Sequence, residues 1–371
     1  MTRADYEYMA RALQLAARGL YTTHPNPRVG CVLVRDGKIV GEGWHEFAGE
    51  PHAEIHALQQ AGEGARSATA YVTLEPCCHH GRTPPCTDAL VQAGITRVVV
   101  AMIDPNPRIA GLGLEQLKRA GIRVETGVLE SEAEKLNPGF IMRMRKQRPY
   151  VRCKLAMTLD GRTATATGES KWITGEAARA DVQRWRARSG AIMTGINTVL
   201  ADDPRLTVRP EVLGVGLPVH PLRVVLDSCL RITPKARLFK EPGETLVFTT
   251  SRERELMEPL QQAGAKLVTL PAAGSHVDLA AVLSYLAAQR EINEVLVEAG
   301  PILSGALLQA RLIDELVIYM APILLGDSAR GLVRLQPDIA KLMERIELEI
   351  TEIRAVGRDW RITAKSAAPR A

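Results

Sequence analysis

Apolar positions along the first 150 residues change period several times. Met9, Leu13 and Ala16 recur at helical spacing over residues 5 to 18, and the run stops at Gly19, which predicts an amphipathic helix ended by glycine. Val29 to Val34 and Lys38 to Trp44 flank Asp36-Gly37, a dipeptide suited to the left-handed turn of a tight hairpin, so two antiparallel strands should follow. Next come a helix from about His52 to Ala61, a strand Ala70 to Leu74, a helix Pro85 to Ala93, a strand Arg97 to Ala101, a helix Gly113 to Ala120, a strand Val124 to Gly127 and a helix Ser131 to Arg145. This alternation predicts a sheet of about five strands covered on both faces.

The basic stretch Arg143 to Arg148 ends at Pro149 and reads as a solvated linker, so the expected domains are residues 1–147 and 148–371. From Tyr150 a second α/β pattern begins, with strands near 150–155, 190–195, 222–227, 245–250, 266–270, 294–298 and 315–320. Leu348 to Ala355 and Trp360 to Ala364 look like a closing antiparallel pair around Gly357.

Composition narrows the function classes. The chain has 371 residues, 46% hydrophobic, 24% charged and 4% aromatic, which suits a globular α/β protein and not a base-stacking platform. Lys+Arg against Asp+Glu is 17 to 16 over residues 1–147 and 30 to 26 over residues 148–371, so neither half has the basic excess of a nucleic-acid binder. The acidic start and the lack of a long apolar run point to no membrane and a cytoplasmic location. Six cysteines are too few for a disulfide scaffold, and Cys77, Cys78 and Cys86 crowd into ten residues, a pattern that suggests metal. Cys31, Cys153 and Cys229 read as small core residues.

His52-Ala53-Glu54 opens a helix, Pro76-Cys77 follows the next strand, and Cys86 heads the helix after it. A hydrolytic zinc site needs three His or thiolate ligands, an open fourth position, and a carboxylate beside the His that is not itself a ligand. His52, Cys77 and Cys86 with Glu54 fit, but eight residues between the cysteines, where two are common in such sites, leave Cys78, His79 and His80 as rival ligands.

The run Thr73-Leu74-Glu75-Pro76-Cys77-Cys78-His79-His80-Gly81-Arg82-Thr83-Pro84-Pro85-Cys86 resembles the bifunctional diaminohydroxyphosphoribosylaminopyrimidine deaminase/reductase family of riboflavin biosynthesis. So do His24-Pro25-Asn26-Pro27, Gly49-Glu50-Pro51-His52-Ala53-Glu54 and Asp104-Pro105-Asn106-Pro107, and the likeness covers nearly the whole chain. It implies a cytidine-deaminase-like three-layer α/β/α domain followed by a dihydrofolate-reductase-like α/β domain, with one Zn2+ in the first and NADPH in the second. The family has Ser where Cys78 stands, so His52, Cys77 and Cys86 become the implied metal ligands, Glu54 the proton carrier and Asn26 a substrate contact.

In the second domain no intact G-x-G-x-x-G follows a strand. Val297 to Gly305 instead reads as a strand, a glycine turn and a helix, which can offer backbone N–H groups to phosphate. The resemblance, carried also by Lys154-Leu155-Ala156, Leu159 to Arg162, Ser170 to Thr174 and Ala201 to Arg209, implies NADPH contacts at Ala156, Trp172, Thr198, Asp202, Ser228, Gly300, Pro301, Ile302, Leu303, Ser304, Gly305 and Ala306. It implies substrate contacts at Ser170, Arg186, Leu206, Arg209 and Glu298. By charge alone, Arg186 belongs with Arg179, Arg184 and Arg188 on a solvated helix face. Lys154, Asp202 and Glu298 are the ionisable groups expected near the reacting carbon, while Asp160-Gly161 reads as a turn. The partner expected is a small phosphoribosylaminopyrimidine, with room left for a homo-oligomer. Two rival readings are a single-activity nucleoside or tRNA deaminase with an accessory domain and a zinc-stabilised binding module; Glu54, useless to a purely structural zinc, separates the last from an enzyme.

Overall fold

The structure is a computed structural model that describes residues 1–79, 84–209, 213 and 220–366. The chain divides into two compact units, Met1–Arg148 and Pro149–Ala371.

In the first unit, helix α1 (Arg3–Ala16) starts on a reciprocal cap in which Thr2 Oγ1 accepts the Asp5 N–H at 3.3 Å and the Asp5 carboxylate accepts the Thr2 N–H at 2.6 Å. Strands β1 (Gly30–Arg35) and β2 (Lys38–Trp44) meet at Asp36 and Gly37, whose φ of 53° and 72° give the two left-handed residues the hairpin requires. With β3 (Thr69–Leu74), β4 (Arg97–Met102) and β5 (Arg123–Thr126) they form one sheet in the order β2-β1-β3-β4-β5. It is antiparallel at β1 and parallel from β3 to β5.

Alternation sends Val32, Tyr71, Val99 and Ala101 to one face, where they pack with Met9, Ala12 and Leu15 of α1. Cys31, Leu33, Val72, Val98 and Val100 go to the other, against helices α2 (Ala53–Ala61), α3 (Cys86–Gln92) and α4 (Leu112–Arg119). The result is the three-layer α/β/α arrangement. A Cβ on Gly43 would sit 2.3 Å from the Ala53 carbonyl oxygen, so this bare position in β2 lets the start of α2, with His52 as its N-cap, lie directly on the sheet.

The helix expected over residues 131–145 is two, α5 (Glu130–Leu136) and α6 (Pro138–Lys146). Pro138 disfavours helical backbone in the residue before it, and Asn137 leaves the helix at φ −121°, ψ 37°. The buried Asn137 amide then accepts the Arg28 N–H at 2.8 Å and donates to the Arg28 carbonyl at 2.9 Å.

The second unit is built on one nine-stranded sheet. Its long strands are β6 (Tyr150–Thr158), β8 (Ala191–Gly195), β9 (Leu222–Leu226), β10 (Thr245–Thr249), β11 (Ala265–Thr269), β14 (Glu294–Glu298), β15 (Glu315–Ala321), β17 (Leu348–Val356) and β18 (Asp359–Ser366). Two short pairs lie outside it: β7 (Arg162–Ala164) with β16 (Arg330–Gly331), and β12 (Ala272–Ala273) with β13 (His276–Val277). The order is β11-β10-β9-β8-β14-β6-β15-β18-β17, parallel as far as β15 and closed by the antiparallel pair expected at the end. Helices α7 (Glu176–Arg188), α8 (Ile196–Asp202), α9 (Arg254–Gln262), α10 (Leu279–Arg290) and α11 (Pro301–Gln309) complete it. Val151, Cys153, Val295 and Val297 enter one core. Period-2 alternation therefore puts Arg152, Lys154, Glu294 and Glu298 together on the opposite face.

Cys31 and Cys153 are buried as expected, but Cys229 is exposed. β9 ends at Leu226 and the chain reverses there, the Asp227 carboxylate accepting the Ile232 N–H at 2.7 Å, so Cys229 lies on the outside of the turn. Asp160 is in a turn, and its carboxylate also accepts the Gly326 N–H at 2.8 Å and the Leu325 N–H at 3.1 Å.

Candidate functional site

His52, Cys77 and Cys86 converge from three segments, one potential ligand atom of each lying within 4.8 Å of the others; among the described residues this is the one such His/Cys/Asp/Glu group. His52 Nδ1 is 3.3 Å from Cys86 Sγ and 3.5 Å from Cys77 Sγ. The Cys86 N–H, at the head of α3, donates to Cys77 Sγ at 3.4 Å. The Cys86 thiol and that N–H, with His52, pull Cys77 well below an ordinary thiol, whereas Cys86 is pushed up as the partner that keeps the shared proton. One nitrogen and two sulfurs at this spacing suit a tetrahedral borderline-soft cation with one position open. Cys78 is half-buried and His79 exposed, and neither joins the group. His80 lies outside the described residues.

Glu54, in the first turn of α2, is 3% exposed. Burial, with the Cys77 charge adding to it, pushes its carboxyl up to about 7. The acid is thus poised to exchange a proton near neutral pH, and a cation on the three ligands would favour its charged form.

Asn26 approaches the same place through a histidine that the sequence motifs do not single out. Asn26 Nδ2 is 3.0 Å from His45 Nε2, and His45 Nδ1 is 3.2 Å from the Pro51 carbonyl. Donation to that carbonyl leaves Nε2 to accept from the amide, and burial favours the neutral ring by lowering its pKa. The His45 ring meets His52 edge-on at 5.4 Å. No spacing rule marks His45, the residue after β2; only the hairpin's return beside α2 brings it here.

In the second unit most of the expected ligand residues lie at or just beyond the C-terminal ends of β6, β8, β9 and β14, where parallel sheets bind ligands. The Gly300 N–H donates to Thr198 Oγ1 at 3.3 Å, joining two of them. Ser228 follows β9, and its hydroxyl accepts the Val277 N–H at 3.0 Å. Ala156 is half-buried on β6, Asp202 exposed at the end of α8, and Trp172 exposed with the Arg179 guanidinium 4.6 Å above its ring. Ser170 is half-buried, Leu206 is buried with φ 51°, and the Arg209 N–H donates to Gln183 Oε1 at 3.0 Å.

Two residues of the α11 segment turn their side-chain positions inward, which leaves only their backbone for the expected cofactor contact. The Ser304 side chain is fully buried and accepts from the Cys153 thiol at 3.5 Å, and a Cβ on Gly305 would lie 1.9 Å from the Arg334 carbonyl oxygen. Both face inward, because the period of the helix turns them from the glycine loop toward the core. Gly300 and Ile302 are exposed, with Pro301, Leu303 and Ala306 half-buried.

The solvated-face reading of Arg186 also fails. Its guanidinium grips Glu298 with Nε to Oε1 at 2.5 Å and Nη2 to Oε2 at 3.0 Å, while Nη1 donates to the Thr207 carbonyl at 2.7 Å. Lys154, the register partner of Glu298 across β6 and β14, has its Nζ 3.9 Å from Oε2. Burial opposes the Glu298 charge, but Arg186 and Lys154 outweigh it and hold the carboxyl below its ordinary value. Arg184 does point outward, and Arg188 pairs with Glu294 at 3.3 Å.

Residues 2–102 match the cytidine and deoxycytidylate deaminase zinc-binding region, and residues 149–362 match the RibD C-terminal domain. The riboflavin biosynthesis protein RibD of Escherichia coli strain K12 is 54% identical over 364 residues, or 96% of this chain and 97% of that protein. The chain belongs to the RibD family. It is a bifunctional enzyme of riboflavin biosynthesis, with a deaminase domain followed by a reductase domain. Among solved structures, Acinetobacter baumannii RibD, form 1, superposes with a TM-score of 0.91 at 46% identity over 99% of both chains. A Thermotoga maritima diaminohydroxyphosphoribosylaminopyrimidine deaminase/5-amino-6-(5-phosphoribosylamino)uracil reductase superposes with a TM-score of 0.83 at 35% identity, over 98% of this chain and 99% of that one. Among the described residues no helix is long and apolar enough to cross a membrane.

Proposed function

We propose that the first unit hydrolyses the 2-amino group from 2,5-diamino-6-(5-phosphoribosylamino)pyrimidin-4(3H)-one and that the second reduces the ribosyl side chain of the product with NADPH. The observation that carries the first half is the buried acid Glu54 beside a three-ligand cluster, in a zinc-binding deaminase region joined to a RibD reductase domain. His52, Cys77 and Cys86 would hold zinc, which would supply a Lewis acid able to lower the pKa of water toward neutrality. Glu54 takes the proton of the attacking water, passes one to the ring nitrogen and then to the departing ammonia, so that C–NH2 and water become C=O and NH3. Asn26 and His45 orient the pyrimidine.

In the reductase, NADPH would supply a hydride and a protein group one proton, which together would turn the opened ribose into ribityl. The sequence leaves Lys154, Asp202 and Glu298 as proton donors. A carboxyl held in its charged form is a poor acid, so the low Glu298 pKa favours Lys154, with Glu298 orienting Lys154 and Arg186. Thr198, Ser228 and the Gly300 turn receive the cofactor, and Arg209 with Ser170 the substrate.

The test mixes purified protein, the diaminopyrimidinone phosphate and NADPH and follows ammonia release and NADPH oxidation together. One ammonia and one NADPH per substrate are expected; ammonia without oxidation would remove the reductase half. For assembly we propose a homo-oligomer, supported by exposed Leu348, Ile350 and Ile353 on the edge strand β17 and by Trp360 beside it. Sedimentation of wild type and Ile353→Lys checks this, the variant shifting to the monomer.

A further inference from the structure

Glu75 stands two residues before Cys77 and is 6% exposed. Its N–H prolongs the pairing of β3 with β4 by donating to the Met102 carbonyl at 3.0 Å. Its carboxylate reaches the chain beyond β4 and accepts four backbone N–H groups. Asp104 at 3.0 Å and Gly111 at 2.9 Å donate to Oε2, and Gly113 at 2.9 Å and Leu114 at 3.4 Å donate to Oε1. The last two belong to the first turn of α4, whose donors have no partner within the helix.

The same helix is pressed against the ligand loop. A Cβ on Gly113 would lie 2.2 Å from the Pro76 carbonyl oxygen, so the start of α4 rests on the peptide that enters Cys77. Farther along α4, the Gln116 amide donates to Asp88 Oδ1 at 2.7 Å. Asp88 is in the first turn of α3, which begins with Cys86. Leu114 and Leu117 of α4 and Leu90 of α3 share one core. One short helix is thereby tied at its start to the segment of the first cysteine and along its length to the helix of the second.

We propose that Glu75 and Gln116 are positioning residues that act through α4 to set the separation of Cys77 and Cys86, and hence the grip of the site on its metal. The inference rests on the zinc reading above. A glutamine at position 75 would turn an NH2 toward two N–H donors, so the anionic, acceptor-only side chain is what the geometry requires.

Wild type, Glu75→Gln and Gln116→Ala are prepared as full-length zinc proteins, and metal loss to a chromogenic chelator is timed well below the melting temperature. The Co2+ forms are compared by visible absorption. Glu75→Gln should bind zinc 10- to 100-fold more weakly, about the effect of losing a group that orients a ligand, with shifted Co2+ bands; Gln116→Ala should show a smaller change in the same direction. A merely structural role would lower the melting temperature but leave chelator kinetics and Co2+ bands at wild type, and that result in folded Glu75→Gln overturns the proposal. If Glu75→Gln does not fold, wild-type kinetics in Gln116→Ala overturn it instead. Wild type that binds no zinc would sink the metal reading itself, before any variant is compared.

Discussion

Each unit sets a glutamate at its candidate site, and the surroundings push the two carboxyls in opposite directions. In the metal-free protein Glu54 lies beside thiols, and burial pushes it up to about 7; Glu298 is half-buried and faces Arg186 and Lys154, which hold it down. Burial alone therefore does not decide what a carboxyl does. In the metal-free protein the charges around each carboxyl, added to its burial, set the direction in which it is moved.

The largest effect that could break this contrast is loss of the metal ligands. Cys86→Ser should remove zinc and abolish ammonia release, while Cys78→Ser should keep both; metal analysis of the two proteins checks it, and the reverse pattern would discard the ligand set. Glu54→Gln should next cut deamination by about 10²- to 10⁴-fold at unchanged zinc stoichiometry, with reduction of already deaminated substrate intact. Loss of zinc in that variant would make Glu54 a ligand and not a proton carrier.

Glu298→Gln tests the other side. It should slow reduction by about 10²-fold, the cost of misplacing the groups it orients, with little change in NADPH affinity and none in deamination. It should also destabilise the second unit, by less than the about 3–5 kcal/mol of a fully buried pair, because Arg186 is half-buried and keeps its bond to the Thr207 carbonyl. Calorimetry separates the two effects. A variant of wild-type stability and rate would reduce the Arg186–Glu298 pair to an ornament of the surface.

These residues were not equally legible. The hairpin at Asp36-Gly37 and the strand-turn-helix at Glu298 to Pro301 follow from local rules, because turn chemistry carries them, whereas the spacing of Cys77 and Cys86 left rival ligands that only the family resemblance removed. Arg186 and Glu298 lie 112 positions apart, and no local pattern says that an arginine in a basic helix turns inward. His45 was missed for the same reason, since its partners Asn26 and Pro51 meet it only after the sheet forms. The break at Asn137-Pro138 was readable, and the expectation of one long helix gave too little weight to proline.

The finest test of the contrast uses pH. Glu54 has a raised pKa in the folded, metal-free protein, so its contribution to stability is full below pH 4.5 and is lost as pH rises through about 7, a change of about 3 kcal/mol. Glu298 has a lowered pKa, so its contribution is present above about pH 4.5 and is lost as pH falls below that. Subtracting the stability curves of Glu54→Gln and Glu298→Gln from that of the chelator-treated wild type should give slopes of opposite sign. Slopes of the same sign would show that both acids obey burial alone.

The bare stretch of β2 under α2 bears on how such an enzyme would be mapped by saturation mutagenesis. Any side chain at Gly43 must displace the helix that begins next to His52, so substitutions there should silence deamination as thoroughly as loss of a ligand, although the position presents no functional group to anything. A map scored by activity alone would file Gly43 beside Cys77 and Cys86. Scoring the reductase in the same clones would not separate them, since that reaction is carried by the other unit. Only a readout of metal held per folded molecule distinguishes a missing donor from a floor that has been raised beneath one.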